Sequence, residues 1–136
     1  METEPDMKKI PLSVIELHVV PMGAPRQTRR DRWAERPVIK RYHAFRDIVR
    51  LGLNKAGDTV RPGADITFDV PMPKSWSKKK RKEMNGRPHK QTPDLDNFIK
   101  ALLDAAFGED KHIWWLGHTV KRWAETGKII ISNHEN

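Results

Sequence analysis

Four segments of the chain have the apolar and β-branched pattern of β-strands, and the second of them alternates apolar with polar residues. The first segment is residues 10–20, and the second is residues 64–72. Residues 113–123 and 128–132 form the third and fourth segments, and the Thr126-Gly127 dipeptide between them predicts a tight turn. The last two strands are therefore expected to form a hairpin.

Two longer segments repeat their apolar residues at the period of an α-helix. The first is residues 37–56, which begins with a proline and is followed by Gly57, a typical helix end. The second is residues 96–107, and a short basic helix is predicted over residues 78–82 with Ser77 as its N-cap. These elements predict an α+β fold, in which two main helices pack against a small mixed or antiparallel sheet of about four strands.

Composition places the chain among small basic proteins. Its 136 residues fit one domain over residues 1–136, with residues 1–8 as a flexible N-terminal tail. Lysine and arginine outnumber aspartate and glutamate by 26 to 18, and the net charge of +8 favours a polyanionic partner. A ribosomal-type or merely soluble basic protein would have the same charge. Cysteine is absent, which removes disulfides and thiol nucleophiles and fits a reducing compartment.

The chain shows no pattern of export or membrane insertion. Residues 1–6 are acidic and polar, unlike a signal peptide. No apolar run approaches the length of a membrane-spanning helix. We therefore expect a cytoplasmic protein without a membrane partner.

Acidic residues gather at the start of the second long helix. Asp94 and Asp96 stand two residues apart after Pro93, and Lys100 follows one turn later. Residues two apart share a face only in an extended segment, so Asp94 should precede the helix and Asp96 should lie at or near its N-cap. Such carboxylates could hold Mg²⁺ beside a phosphodiester, with Lys100 stabilising transition-state charge. An N-capping aspartate followed by a lysine is equally typical of proteins that are not enzymes.

Basic residues on both sides of this cluster are candidates for contacts with DNA phosphates. The predicted DNA-binding residues are Arg26, Arg29, Arg30, Lys78, Lys79, Lys80, Arg81, Lys82, Arg87 and His89. The alternative is a solvated basic surface. His89 is expected to be exposed in a basic loop, where it could touch DNA or shuttle a proton.

Five tryptophans are a high number for so short a chain. Trp114, Trp115 and Trp123 are predicted on the third strand, in the core or in a dimer interface. The alternative is an aromatic wedge that stacks on unpaired bases.

A longer motif extends the acidic cluster. Pro-Asp-Leu-Asp-Asn at residues 93–97 is followed by Lys100, by Asp104 and then by Gly-Glu-Asp at residues 108–110. This pattern resembles the RusA family of Holliday-junction resolvases. The flanking segments that resemble the phage and prophage branch of that family are residues 75–81, 86–89, 113–114 and 127–131. The resemblance covers most of the chain and is most specific over residues 73–114.

The resemblance implies a homodimeric endonuclease of a bacterium or phage that acts in DNA recombination and repair. It would cut four-way junctions by paired nicks and use Mg²⁺, with Mn²⁺ as the alternative ion and no small-molecule cofactor. By position, Asp94, Asp96 and Asp110 match metal-binding catalytic aspartates of the family, and Lys100 matches its essential lysine. Glu109 stands where the family commonly has aspartate, which leaves the role of that position open.

The second long helix separates Asp110 from the acidic pair. From Asp96 to Gly108 the helix would span about 18 Å, at a rise of about 1.5 Å per residue. Two further residues return at most about 7 Å. Either the helix ends early, or the site is shared across a dimer in which this helix pairs antiparallel with its symmetry mate.

Two other functions fit the same residues. One is a non-catalytic basic DNA-binding accessory protein of phage replication or packaging, in which the acids are caps and ion-pair partners. The other is a nuclease of broader selectivity that cuts flaps or forks.

Overall fold

The computed structural model describes residues 11–26, 36–108 and 112–135, in which the chain forms three helices and four strands. In chain order they are β1 (Pro11–Leu17), α1 (Pro37–Ala56), β2 (Asp65–Pro71), α2 (Lys78–Met84), α3 (Leu95–Phe107), β3 (Thr119–Ala124) and β4 (Lys128–His134). The predicted α+β class is confirmed. The tail predicted for residues 1–8 lies outside the described ranges.

The strands form one mixed sheet with the order β1-β4-β2-β3. β4 pairs antiparallel with both β1 and β2, and β2 pairs parallel with β3. The predicted hairpin between the last two strands is therefore wrong, because β2 lies between them. β4 is an inner strand, and its Ile129 and Ile131 are fully buried. The parallel pair requires a long crossover, which contains α2 and α3.

The helices follow the sequence pattern closely. α1 has the predicted bounds and ends where Gly57 adopts the left-handed conformation, with φ of 67°. Ser77 caps α2 as predicted, since its side chain accepts a hydrogen bond from the backbone N–H of Lys80. No helix in the described ranges is long and apolar enough to cross a lipid bilayer.

β2 is one residue shorter at each end than predicted, and β1 and β3 are shorter by several residues. β1 ends at Leu17, where a turn begins with the N–H of Val19 donating to the Leu17 carbonyl at 3.0 Å. β3 begins only at Thr119. Trp114 and Trp115 thus lie in the preceding loop, and of the three tryptophans predicted on this strand only Trp123 is there.

The hydrophobic core lies between one face of the sheet, α1 and α3. Its buried members include Ile15, Val49, Leu53, Ile66, Phe68, Phe98, Leu102, Ile129 and Ile131. Phe98, in the first turns of α3, stacks on Phe68 of β2 with 5.3 Å between ring centroids. This contact fixes the start of α3 over the sheet.

Replacing Leu102 with alanine should lower the free energy of unfolding by about 2–5 kcal/mol, because its fully buried side chain would leave a cavity. The matched control is Leu51→Ala on α1, where the side chain is 57% exposed and the expected change is within about 0.5 kcal/mol. Urea denaturation measures both values. Equal losses in the two variants would contradict the described packing of α3.

Candidate functional site

The N-terminal end of α3 carries the acidic pair. Asp94 is the N-cap residue, with an extended backbone, and Asp96 lies in the first turn of the helix. The prediction that Asp94 precedes the helix is confirmed, and Asp96 lies just inside it. The Asp94 side chain makes no capping hydrogen bond. The unpaired backbone N–H groups and the dipole of the helix favour negative charge at this end.

Asp94, Asp96 and Lys100 line one open pocket of about 550 Å³. All three side chains are exposed. The remaining lining residues are Thr92, Pro93 and Asn97. We call this space the acidic pocket. The structure thus brings together the predicted residues that stand close in sequence, whereas Asp110 and Glu109 lie outside the described residues.

The chemistry of the acidic pocket suits a hard divalent cation. Mg²⁺ prefers oxygen ligands and is commonly held by one or two carboxylates together with substrate phosphates. Asp94 and Asp96 supply such carboxylates at one pocket. Across the residues described, no group of three or more histidine and acidic side chains is placed to hold a metal ion. The rest of the coordination sphere would come from water, from a bound phosphate or from residues outside the described ranges.

The chain enters the acidic pocket along the open edge of β3. Pro88 forms an antiparallel bridge with Arg122 of that strand. The backbone N–H of Gly86 donates to the Trp123 carbonyl at 2.8 Å, and that of His89 donates to the Lys121 carbonyl at 3.1 Å. We call residues 86–93 the approach segment. Because the approach segment is paired with β3, the residues that lead into Asp94 have a defined position.

The segment after β1 also packs against the acidic pocket. A Cβ added to Gly23 would lie 2.5 Å from Nδ2 of Asn97 and 3.0 Å from Cβ of Pro93. The end of the Asn97 side chain would therefore have to move to admit a larger residue at position 23. Arg26, three residues later, is exposed. The sequence pattern did not reveal this contact of Gly23, because Pro93 and Asn97 are seventy or more residues away along the chain.

A row of aromatic rings joins α2 to α3 through the edge strand β3. Trp76 packs on Trp123 with 4.9 Å between ring centroids, Trp123 packs on His89 at 4.4 Å, and His89 lies 6.3 Å from Phe98. We call these four residues the aromatic row. Trp123 is therefore a core residue, which agrees with the prediction that placed the tryptophans in the core or in a dimer interface. Trp114 and Trp115 lie in the loop before β3, with Trp114 almost fully exposed.

His89 occupies the middle of the aromatic row and is only 4% exposed. The expectation of an exposed histidine is wrong, because Trp123 and Phe98 enclose its ring. Its Nδ1 is buried without a hydrogen-bond partner in the described structure. Burial, and then the positive charge of Lys121, lower the pKa of His89. The ring has almost no surface to offer to DNA, so we leave it out of the proposed DNA contacts.

The basic helix α2 presents most of its charge to solvent. Lys78, Lys79, Lys80 and Lys82 are exposed, and the ammonium of Lys80 lies 4.3 Å from the centre of the Trp76 ring. Arg81 differs, because its guanidinium donates to the Pro73 carbonyl and to Glu125, each at 2.8 Å. These bonds anchor α2 to the loops that follow β2 and β3. Arg26 and Arg87 are exposed, and Arg29 and Arg30 lie outside the described residues.

Two exposed carboxylates and a lysine lie at a helix N-terminus on a chain of net charge +8, and this arrangement is compatible with nucleic-acid phosphates. Comparison with known families agrees. The chain matches the family described as endodeoxyribonuclease RusA over residues 17–132, and it belongs to that family of endodeoxyribonucleases, which act on branched DNA junctions. The resemblance drawn from the motif is confirmed. No curated protein matches the chain.

The free energy of unfolding should fall as the pH drops from about 7.5 to 5.5, in part because of His89. The unfolded chain binds a proton there with an ordinary pKa of about 6.5, whereas the folded chain binds it only at a lower pH. The unfolded state therefore holds more protons below about pH 6.5, and stability is lost.

Urea denaturation across this pH range tests the contribution of His89. The variant His89→Phe, which keeps an aromatic ring but cannot titrate, should show a shallower pH dependence than the wild type. His18→Phe, at an exposed histidine, is the control and should keep the wild-type slope. An unchanged slope in His89→Phe would contradict the assignment.

Proposed function

We propose that this protein is a metal-dependent endonuclease that resolves four-way DNA junctions by paired phosphodiester hydrolysis, in DNA recombination and repair. The observation that carries the proposal is the meeting of Asp94, Asp96 and Lys100 in one open pocket at the start of α3. Membership of the RusA family supports DNA as the substrate and nuclease activity as the reaction class. The charge of +8 supports binding to a polyanion.

Each residue of the acidic pocket has a distinct proposed role. Asp94 and Asp96, together with Asp110, would hold Mg²⁺ or its substitute Mn²⁺. When bound, the ion supplies an activated water and positive charge for the leaving oxygen. Lys100 would donate to a phosphate oxygen and stabilise the extra negative charge of the transition state. The N–H groups of the first turn of α3 favour a phosphate at the same place.

The exposed lysines of α2, with Arg26 and Arg87, are the proposed contacts to the DNA backbone. Contacts to phosphates set the position of the DNA and carry no sequence information. Arg81 would act indirectly, by anchoring α2 through Pro73 and Glu125. Because the aromatic row ties α2 to α3, the positive surface is held at a constant distance from the acidic pocket.

The length of α3 bears on the source of the third carboxylate. The helix runs without interruption to Phe107, which excludes an early end. The route that we propose is a dimer in which α3 pairs antiparallel with its symmetry mate, so that Asp110 of one subunit would serve the Asp94 and Asp96 of the other. A two-fold dimer would also carry two equivalent sites for two strands. We therefore propose a homodimer with shared sites.

The direct test is incubation of a labelled four-way junction with the protein, with Mg²⁺ and with a chelator in place of Mg²⁺. Paired cuts that require the metal are expected. Flaps, forks and linear duplex of the same sequence measure the selectivity for junctions. Binding of the junction without cleavage in either Mg²⁺ or Mn²⁺ would favour the non-catalytic accessory protein, and equal cleavage of flaps or forks would favour the broader nuclease.

Asp96→Asn should reduce junction cleavage by at least about 100-fold, because a neutral amide is a weaker metal ligand. Junction binding should be unchanged or tighter, since the substitution removes a negative charge that faces the phosphates. The control is Asp47→Asn on an exposed face of α1, which should cleave like the wild type. Cleavage rates and gel-shift affinities measure both effects. If Asp96→Asn loses binding, the carboxylate serves folding and not chemistry.

Mixed dimers test the shared site. Subunits with Asp96→Asn and subunits with Asp110→Asn should each be inactive as homodimers. Their mixture should regain cleavage, because the heterodimer has one site with all its carboxylates intact. The two variants are mixed and refolded together at several ratios, and the cleavage activity of each mixture is measured. Mixtures of the wild type with each parent variant are the reference. Activity that never exceeds that of the parents would show that the site is not shared.

A further inference from the structure

The side chain of Lys121 is bonded to the end of the approach segment, directly before the acidic pocket. Its ammonium donates to the backbone carbonyl of Gln91 at 2.6 Å and to that of Pro93 at 2.8 Å. Its own carbonyl accepts the N–H of His89 at 3.1 Å. One half-buried residue of β3 therefore holds the chain at three alternate positions that end immediately before Asp94.

The backbone of Asp94 is held from both sides, because its carbonyl accepts the N–H groups of Asn97 and Phe98 at 3.1 and 3.2 Å and Lys121 binds the carbonyl of Pro93 before it. The Asp94 side chain makes no capping hydrogen bond, so the helix does not fix its direction. Pro93 and Thr92, which line the pocket together with Asp94, belong to the stretch whose carbonyls Lys121 binds. Hydrogen bonds from a charged donor are shorter and stronger than those between neutral groups. Lys121 is thus well suited to keep this stretch in one conformation.

Lys121 also contacts the helix that carries the rest of the pocket. Its ammonium lies 5.9 Å from the centre of the Phe98 ring, and Phe98 is two residues after Asp96. The same cation therefore lies against both the approach segment and the first turns of α3. These two elements supply Asp94 on one side and Asp96 with Lys100 on the other.

We propose that Lys121 is a positioning residue of the acidic pocket, which holds the Gln91 and Pro93 carbonyls so that Asp94 is set beside Asp96 before metal and DNA bind. This inference rests on the proposed nuclease function. It gives Lys121 a part in metal binding without contact with metal or DNA. A displacement of about 1 Å in a catalytic group can cost about 100-fold in rate, which makes such pre-organisation valuable.

Three variants separate positioning from general stability. Lys121→Met keeps the aliphatic stem against Phe98 and removes the donors. Lys121→Arg restores a cation that can donate to both carbonyls. Lys128→Met is the matched control. Lys128 is also a half-buried lysine of the sheet, and its Nζ lies 3.8 Å from Oε1 of Glu16. It does not line the acidic pocket.

The first readout is the Mg²⁺ concentration that gives half-maximal junction cleavage. It should rise about tenfold in Lys121→Met, the effect typical of lost support for a metal ligand, and return towards the wild-type value in Lys121→Arg. Lys128→Met should match the wild type. Junction affinity in Ca²⁺ should change little in all three variants. An unchanged Mg²⁺ requirement in a folded Lys121→Met protein would overturn the proposal.

The second readout is hydrogen–deuterium exchange without metal or DNA. Exchange over residues 89–97 should rise in Lys121→Met and stay at the wild-type level in Lys128→Met. Increased exchange throughout the sheet, with no excess over residues 89–97, would show a general structural role and overturn the proposal. If Lys121→Met does not fold, Lys121→Gln, which keeps one amide donor, is measured in the same way.

The two readouts also separate this inference from the function on which it rests. If the wild type cuts no branched DNA with Mg²⁺ or Mn²⁺, the proposed function fails. The exchange measurement then still decides whether Lys121 fixes the approach segment. If the wild type cleaves and Lys121→Met needs no more metal than the wild type, only the positioning role fails.

Discussion

The burial of Phe98 against Phe68 is the contact on which the candidate site depends. With 3.6 residues per turn, a helix that buries Phe98 and Leu102 on the sheet turns the residues two positions on either side of Phe98 towards solvent. Those residues are Asp96 and Lys100, and both are exposed in the acidic pocket. The hydrophobic effect that holds α3 in place therefore also presents an acid and a base on its free side. One face of α3 therefore contributes to stability, and the opposite face carries residues of the candidate site.

The edge strand β3 supports the second part of the site. β3 is an edge strand, and such strands leave N–H and C=O groups open to pairing with other chains. The approach segment covers that edge through bonds to Trp123 and Lys121, and then leads directly into Asp94. The aromatic row, which includes Trp76 before α2, packs on the same edge. A segment that protects the sheet thus also aligns the positive helix and the acidic pocket.

Features set by near neighbours in sequence could be predicted, and features set by distant neighbours could not. The bounds of α1 and the Ser77 cap follow from local periodicity and capping chemistry. Asp94, Asp96 and Lys100 meet because they lie within two turns of one helix start. The place of β4, by contrast, is decided by competition among strands for the centre of the sheet. The burial of His89 depends on Trp123, thirty-four residues away, and no local pattern marks that contact.

Charge balance explains why an acidic pocket can exist on this chain and why it suits a cation. Exposed carboxylates at Asp94 and Asp96 repel each other and would repel a DNA phosphate. The N-terminal end of α3, Lys100 and the nearby ammonium of Lys121 offset part of that repulsion. A divalent ion would offset more of it, and a bound phosphate would add a ligand to the ion, because Mg²⁺ is commonly held by one or two carboxylates together with water and substrate phosphates. On the proposed function, metal and DNA would therefore bind cooperatively, with the basic helix α2 supplying affinity and the acidic pocket supplying chemistry.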